Sequence, residues 1–325
     1  MADAIPFGDL FVLAPTFPGD LVASRALLAA LGARGSVAVA VMQSLAPILR
    51  DLPVALQPYS TTVSSDVHDA HFCHELELLG VPANACVLDL IGTPPTMAWL
   101  SARGGPSTGY CLDRTEHLPY TTVVEWAIPP ANRSDRSHYG VRLLRVLPEH
   151  ATATSWPDGC FERALYKHGQ PALFDRIALV PGCGRWGLEK RMPVSFWRAV
   201  AAEVRSRAWR PTWFLGPDEV DLAADLVERG DAIVSGTWDD ALNEHARCAV
   251  GVSNDTSHLH VRAHLGRQTL AFFRRDDAPE WGHYPGFVTC IDARQSLDDG
   301  RAVEAAVAWL TASHESRVPA SSGSG

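Results

Sequence analysis

"VGVSNDTSHLHVRAHLG", residues 250–266, decides the fold. Its first residues read as a buried β-branched strand. Asn254, Asp255, Thr256 and Ser257 follow without a spacer, and "HLHVRAHLG" (258–266) then reads as a helix. A strand that runs through a polar turn directly into a helix is the βα unit of a parallel sheet. In open sheets of this kind ligands sit beyond the carboxyl ends of the strands. The start of the helix presents unpaired N–H groups and partial positive charge, which together receive phosphate. Asp255, Thr256 and Ser257 are also, and more simply, a plain N-cap. Both readings stand on the residues alone.

The same alternation extends outward on both sides. Ahead of the quoted stretch come a strand "RIALVPG" (176–182) and a helix "PVSFWRAVAAEVRSR" (193–207) with Pro193 in its first turn. The strand "RPTWFLG" (210–216), a helix over 218–230, the short strand "AIVSG" (232–236) and a helix over 240–248 complete that run. Behind it lie the strand "QTLAFF" (268–273) and a terminal helix over 297–314. The first half repeats the scheme. "DLFVLAP" (9–15) is a strand, "LVASRALLAALG" (21–32) a helix and "SVAVAVM" (36–42) a strand. Helices over 69–80, 95–104 and 140–150 and strands over 85–92, 107–112 and 120–127 follow. The turn-rich "ATATSWPDG" (151–159) opens a linker. Two β/α arrays in series predict an α/β protein with two Rossmann-like β/α/β domains, 1–165 and 166–314, facing a central cleft, and a small polar tail over 315–325.

Composition narrows the function. A net charge of −9 argues against a general nucleic-acid or anionic-membrane surface. No stretch approaches the ~18 apolar residues of a membrane span, and the first residues lack the pattern of a secretory signal. Seven scattered cysteines without a CxxC pair suit a reducing compartment. A cytoplasmic protein is therefore expected. Arginine does nearly all the basic work, since Lys167 and Lys190 are the only lysines. "DVHDAHFCHE" (66–75), the pair His260 and His264, and Asp276–Asp277 are candidate metal sites by residue type. None fixes three or four converging ligands, so no metal is expected.

Three strand ends of the second half are polar or glycine-rich: "PGCGRWGLEKR" (181–191), "GPDE" (216–219) and "SNDTS" (253–257). Their order and spacing resemble the heptosyltransferase family, glycosyltransferase family nine, of the GT-B fold. The family reads as strand–PG–loop–K-x-W-P–helix, then strand–G-x-x-x-E, then strand–x-D-[ST]-G-x-x-H–helix, with a segment like F-G-x-x-x-P beyond. Here these are "LVPGCGRWGLEKRMP" (179–193), "FLGPDE" (214–219), "VSNDTSHLHVRAHLG" (252–266) and "LAFFRRDDAPEWGHYPG" (270–286). "TFPGDLVASRALLAALG" (16–32) resembles the family's first loop, in which Gly19-Asp20 precedes the first helix. The chain departs from the pattern at Ser257, where the family has glycine, at Arg262 and His264, which replace small residues, and at Phe273, another glycine position. The loop before Lys190 is about two residues longer.

The resemblance implies an inverting, metal-independent glycosyltransferase with a nucleotide-diphospho-sugar donor of the ADP-heptose kind and no further cofactor. Asp20 would be the general base for the acceptor hydroxyl, with an N-cap for the 21–32 helix as its plain alternative. Lys190 would neutralise the departing diphosphate. Gly19, Gly182, Cys183, Gly184, Arg191, Gly216 and Asp218 would line the donor, and Glu219 would hold ribose hydroxyls. Asn254, Asp255, Thr256, Ser257 and His260 would surround the diphosphate, and Trp238 would stack on the base or belong to the core. In the family the acceptor is commonly lipopolysaccharide, and a lipid-linked acceptor would make the protein peripheral at the inner membrane. Acidic residues outnumber basic ones in 1–165, which points also to another saccharide, a small-molecule scaffold or a protein side chain. Three rivals remain. The glycine-rich "ALVPGCGRWG" (178–187) suggests a methyltransferase using S-adenosylmethionine, although the next helix waits until about 193. The others are a non-catalytic sugar-nucleotide-binding protein and a nucleotide-sugar epimerase.

Overall fold

The computed structural model describes residues 10–60, 70–109, 122–123, 136–167, 171–294 and 299–316. The chain divides into two compact units, Met1–Ala164 and Leu165–Gly325. In the first, β1 (Leu10–Leu13), β2 (Val37–Met42), β3 (Ala55–Tyr59), β4 (Cys86–Asp89), β5 (Ser107–Gly109) and β6 (Thr122–Val123) form a parallel sheet in the order β3-β2-β1-β4-β5-β6. In the second, β7 (Leu173–Val180), β8 (Arg210–Phe214), β9 (Ala232–Val234), β10 (Cys248–Asn254), β11 (Gln268–Phe273) and β12 (Val288–Asp292) form a parallel sheet in the order β12-β11-β10-β7-β8-β9. Counted from its own first strand, each unit has the order 3-2-1-4-5-6, that of a Rossmann fold.

Burial explains why these segments pair as they do. Leu10 to Leu13 and all seven residues of β10 are buried, as central strands covered by helices on both faces must be. The first core gathers Phe11, Leu13, Val87, Ile91, Trp99 and Leu100. The second packs α7 (Val194–Ser206), through Phe196, Trp197 and Val200, and α12 (Asp299–Glu315), through Ala302, Ala306 and Leu310, against β7, β8 and β10. Phe196 meets Trp197 and Phe272 edge-on at 5.1 and 4.9 Å.

Several boundaries differ from the sequence reading. The expected 21–32 helix is two, α1 (Pro18–Ala23) and α2 (Arg25–Gly32), which meet at Ser24, whose hydroxyl donates to the Leu21 carbonyl at 2.7 Å. Phe17 is the N-cap residue and Asp20 lies inside the first turn, so Asp20 is not the N-cap. Pro193 is itself the N-cap residue of α7. The 218–230 helix is a 3₁₀ turn over Pro217–Glu219 followed by α8 (Val220–Leu226). The 140–150 helix is α5 (Tyr139–Leu144) followed by a 3₁₀ turn at Pro148–His150. The remaining helices are α3 (Ala70–Leu78), α4 (Pro94–Arg103), α6 (Cys160–Arg163), α9 (Trp238–Arg247), α10 (Ser257–His264) and α11 (Ala278–Trp281).

Strands β3 and β12 were not expected. Both are sheet edges with mostly exposed or half-exposed side chains, so neither shows an apolar run. Parts of the 107–112 and 120–127 strands, residues 66–69 of the histidine cluster and the tail from 317 lie outside the described residues. Among the described residues no helix is long and apolar enough to cross a membrane.

Candidate functional site

The strand order of the second unit reverses between β7 and β10, so the loops leaving these neighbours diverge and open a crevice at their carboxyl ends. Asn254, fully buried at the end of β10, fastens both limbs of the loop after β7. Its side-chain nitrogen donates to the Pro181 carbonyl at 2.6 Å, and its side-chain oxygen accepts from the Met192 N–H at 3.2 Å. The enclosed chain turns through a 3₁₀ segment, Arg185–Lys190, and delivers Lys190 to Asp255, with which its ammonium pairs. Asp255 is nearly buried at 5 % exposure, whereas Lys190 keeps 21 %. Burial works against the lysine's charge, but the Asp255 carboxylate outweighs it, and the Lys190 pKa ends above its ordinary value. Burial, with the Asp255 charge added, pushes the neighbouring Asp277 carboxyl up.

Thr256 follows in extended conformation as the N-cap residue of α10, with no side-chain cap hydrogen bond. The plain capping reading therefore lacks its defining contact, and the amides that open α10 are not closed off by that hydroxyl. Ser257 is the first residue of α10. Buried His260 shares a 2.8 Å hydrogen bond with the Tyr284 hydroxyl, and burial together with the Lys190 charge lowers its pKa to about 3. It is a neutral ring at physiological pH.

Glu219 organises the other wall. Its carboxylate accepts the Gly216 N–H at 2.6 Å and the Gly184 N–H at 2.6 Å, and lies 3.6 Å from the Arg191 guanidinium. A Cβ on Gly182 would sit 2.0 Å from that carboxylate, so the Pro-Gly sequence is needed for Glu219 to reach the loop. Gly184, at φ +65°, takes the left-handed turn that brings its N–H to Glu219. Glu219 is 4 % exposed, and its first task is thus to knit two strand ends together. Asp218 beside it is exposed. The Arg191 carbonyl accepts from Arg274 at 2.7 Å, while its buried Nε meets no hydrogen-bond partner among the described residues. Cys183 lies among these charges, and burial and the Asp255 carboxylate raise its thiol to about 12. It stays protonated and is no nucleophile at neutral pH.

Trp238 is the first residue of α9, behind the Thr237–Asp240 capping box. Half-buried, it packs against a small core of Ala178, Phe214 and Val234 and stands 5.1 Å from the His258 ring. The structure thus gathers Gly182, Cys183, Gly184, Lys190, Arg191, Gly216, Glu219, Asn254 and Asp255 around the ends of β7, β8 and β10, with α10 rising from the last. Gly19 and Asp20 belong to the first unit, in the opening turn of α1 just after β1. There the strand order reverses between β1 and β4, and Asp89 ends β4 with its carboxylate accepting from the Ile91 and Gly92 amides at 2.8 and 3.1 Å.

Three departures from the resembled pattern, Arg262, His264 and Phe273, are absorbed by the core. Arg262, fully buried, donates to the Thr269 hydroxyl at 2.8 Å and the Gln268 carbonyl at 3.0 Å. His264 bonds the His260 carbonyl at 3.0 Å, and Phe273 packs with Leu259 and Ala271. Sequence reasoning missed two members of the site region, Arg274 and the buried His245, which bonds His258 at 2.9 Å. Nothing in their local sequence marks either one. Among the described residues, no group of three or more His, Cys, Asp or Glu is placed to hold a metal ion.

No protein-family model matches the sequence, and no curated protein matches it. Solved structures do. The ADP-heptose lipopolysaccharide heptosyltransferase II of E. coli superposes with a TM-score of 0.67 at 16 % identity, over 95 % of this chain and 100 % of that one. The E. coli heptosyltransferase WaaC with ADP-2-deoxy-2-fluoro heptose gives 0.66 at 16 %, over 91 % and 98 %. A family 9 glycosyl transferase from Veillonella parvula gives 0.69 at 15 %, over 97 % and 98 %. At such identities the likeness establishes the fold, that of two-domain α/β glycosyltransferases, as the motif resemblance anticipates.

Proposed function

We propose that this chain is an inverting, metal-independent glycosyltransferase. It moves a sugar of the heptose class from a nucleotide-diphospho-sugar, ADP-heptose foremost, to an acceptor hydroxyl. The observation that carries the reading is the Lys190–Asp255 pair at the foot of α10. An ammonium held beside a helix start can follow negative charge as it grows on a departing diphosphate. Asp255 repels phosphate, and its part is to hold Lys190 and present the amides that follow it. Arg191, whose Nε meets no partner among the described residues, supplies a second cation. The structure of E. coli WaaC with ADP-2-deoxy-2-fluoro heptose supports adenine as the base. Asp20 is assigned the proton of the acceptor hydroxyl as that oxygen attacks the anomeric carbon and the carbon–phosphate-oxygen bond breaks. Two cations and the helix start answer the diphosphate charge without a divalent ion. The methyltransferase reading gains no support, because the loop after β7 runs through a 3₁₀ turn before α7 begins at Val194.

A thermal-shift panel of ADP-, UDP-, GDP- and dTDP-sugars, run with EDTA present, tests this. The ADP compounds are expected to raise the melting temperature most. Stabilisation by S-adenosylmethionine and by no nucleotide, or by nucleotide only after a divalent ion is restored, would overturn it.

A further inference from the structure

Two histidines from different elements meet beside the foot of α10, and the geometry fixes the proton of each. His245, on α9, is fully buried and stacks on Phe214 at 3.5 Å with the rings 7° from parallel. Its Nε2 lies 2.9 Å from Nδ1 of His258, the second residue of α10. Its Nδ1 is buried and has no hydrogen-bond partner among the described residues. Burial lowers both pKa values, with Arg262 adding to it at each ring and His258 also at His245. His245 falls well below its ordinary value and His258 falls to about 4. Both rings are therefore neutral at physiological pH, and one proton lies between them.

That proton belongs to His245. Were it on Nδ1 of His258, His245 would have to carry its own proton on Nδ1, leaving a buried N–H with no acceptor. An orphaned buried donor costs its full desolvation, and orphaned N–H groups are rarer in folded proteins than under-satisfied acceptors. His245 is accordingly the Nε2–H tautomer and donates to Nδ1 of His258. A neutral His258 that accepts at Nδ1 must hold its proton on Nε2. His258 is half-buried, and no protein group among the described residues accepts from that Nε2. Beside it stands half-buried Trp238, ring centroids 5.1 Å apart and planes 32° apart.

We propose that His258 is a donor-positioning residue, its Nε2–H preset by His245 to give a hydrogen bond to an acceptor atom on the nucleoside of the sugar donor, whose base packs on Trp238. The inference rests on the nucleotide-sugar reading above and adds a specificity element that its motifs do not contain. A fixed donor rewards a base or ribose atom with a free lone pair, and a neutral one discriminates without competing with Lys190 for the diphosphate.

The test is calorimetric binding of ADP and of inorganic diphosphate to the full chain and its variants. His258→Leu should weaken ADP about tenfold, the scale of one lost hydrogen bond, and leave inorganic diphosphate unchanged. His258→Gln, which keeps an N–H donor, should stay within about threefold of the parent. Nitrogen-15 spectra of the imidazoles should show His258 protonated on Nε2. ADP binding unchanged in His258→Leu, an equal loss for inorganic diphosphate, or a proton on Nδ1 of His258 would overturn the proposal. If the parent chain binds no nucleotide at all, it is the glycosyltransferase reading that fails, while the imidazole spectra still decide the tautomers.

Discussion

The pairing of Lys190 with Asp255 is the residue-scale feature on which structure and chemistry pull in different directions. Removing the lysine leaves a carboxylate at 5 % exposure without its cation. A fully buried pair broken in this way costs about 3–5 kcal/mol, and the partial exposure of Lys190 discounts that to about 1–3 kcal/mol. The lysine's pKa is raised, so the pair's contribution is complete below the ordinary value of 10.5 and is lost as pH rises through the higher folded value. It is therefore intact at neutral pH. Lys190→Ala is expected to lower both the melting temperature and, by roughly 10²–10³-fold, turnover. The double variant Lys190→Ala, Asp255→Ala removes the stranded charge and should recover most of the stability while turnover stays low. Turnover that returns together with stability would show that Lys190 only holds the fold. Asp255 was legible in the sequence because it directly follows a strand end, and Lys190 because the resembled motif and the scarcity of lysine single it out. The bond between His245 and His258 was not, since it joins α9 to α10 across β10, and no local pattern encodes a contact made by the topology.

At the scale of elements the same division holds. Central strands announced themselves as apolar runs because helices cover both faces, whereas β3 and β12 carry the mixed surface of an edge. The break between α1 and α2 was equally silent. Ser24 is a small residue whose hydroxyl turns back on the helix, and apolar periodicity runs straight through it. What joins elements is again invisible locally. Asp231, before β9, takes the Trp213 indole N–H of β8 at 2.8 Å, Arg205 of α7 at 3.2 and 2.5 Å, and the Glu228 amide at 3.1 Å. Burial opposes its charge, but these donors outweigh it, and its pKa is lowered from 3.8. A lowered carboxyl pKa means that the clamp stabilises fully above 3.8 and fades as pH falls through the folded value. Asp231→Asn should cost about 1–3 kcal/mol at neutral pH, the scale of hydrogen bonds to a charged group. It should also flatten the fall in stability on acidification. Denaturant unfolding at neutral pH and at pH below 3.8 checks both, and an acid-limb slope unchanged by the variant would remove Asp231 from the account.

At the scale of the whole molecule, two units repeat one strand order and each owns a core, Phe11, Val87 and Trp99 in the first and Phe196, Trp197 and Phe272 in the second. The repeat was legible as two β/α series, because alternation of strand and helix dictates a parallel sheet with right-handed crossovers. The division of labour was less so, since only the second series carries three diagnostic strand ends. Among the described residues, the Lys190, Glu219 and Asp255 contacts are made within Leu165–Gly325. A unit of this size with a sheet covered on both faces buries enough apolar surface to stand alone. Residues 165–316 expressed by themselves should therefore unfold cooperatively and bind ADP within about threefold of the full chain, differences that small lying within ordinary linkage effects. They should transfer no sugar, because the proposed base is Asp20. In the full chain Asp20→Asn should leave ADP binding intact and cut turnover by about 10²–10⁴-fold, the range for a lost general base. Undiminished turnover in Asp20→Asn would force the base to be sought elsewhere. An isolated second unit that folds but cannot hold ADP would mean that the nucleotide site is not its own.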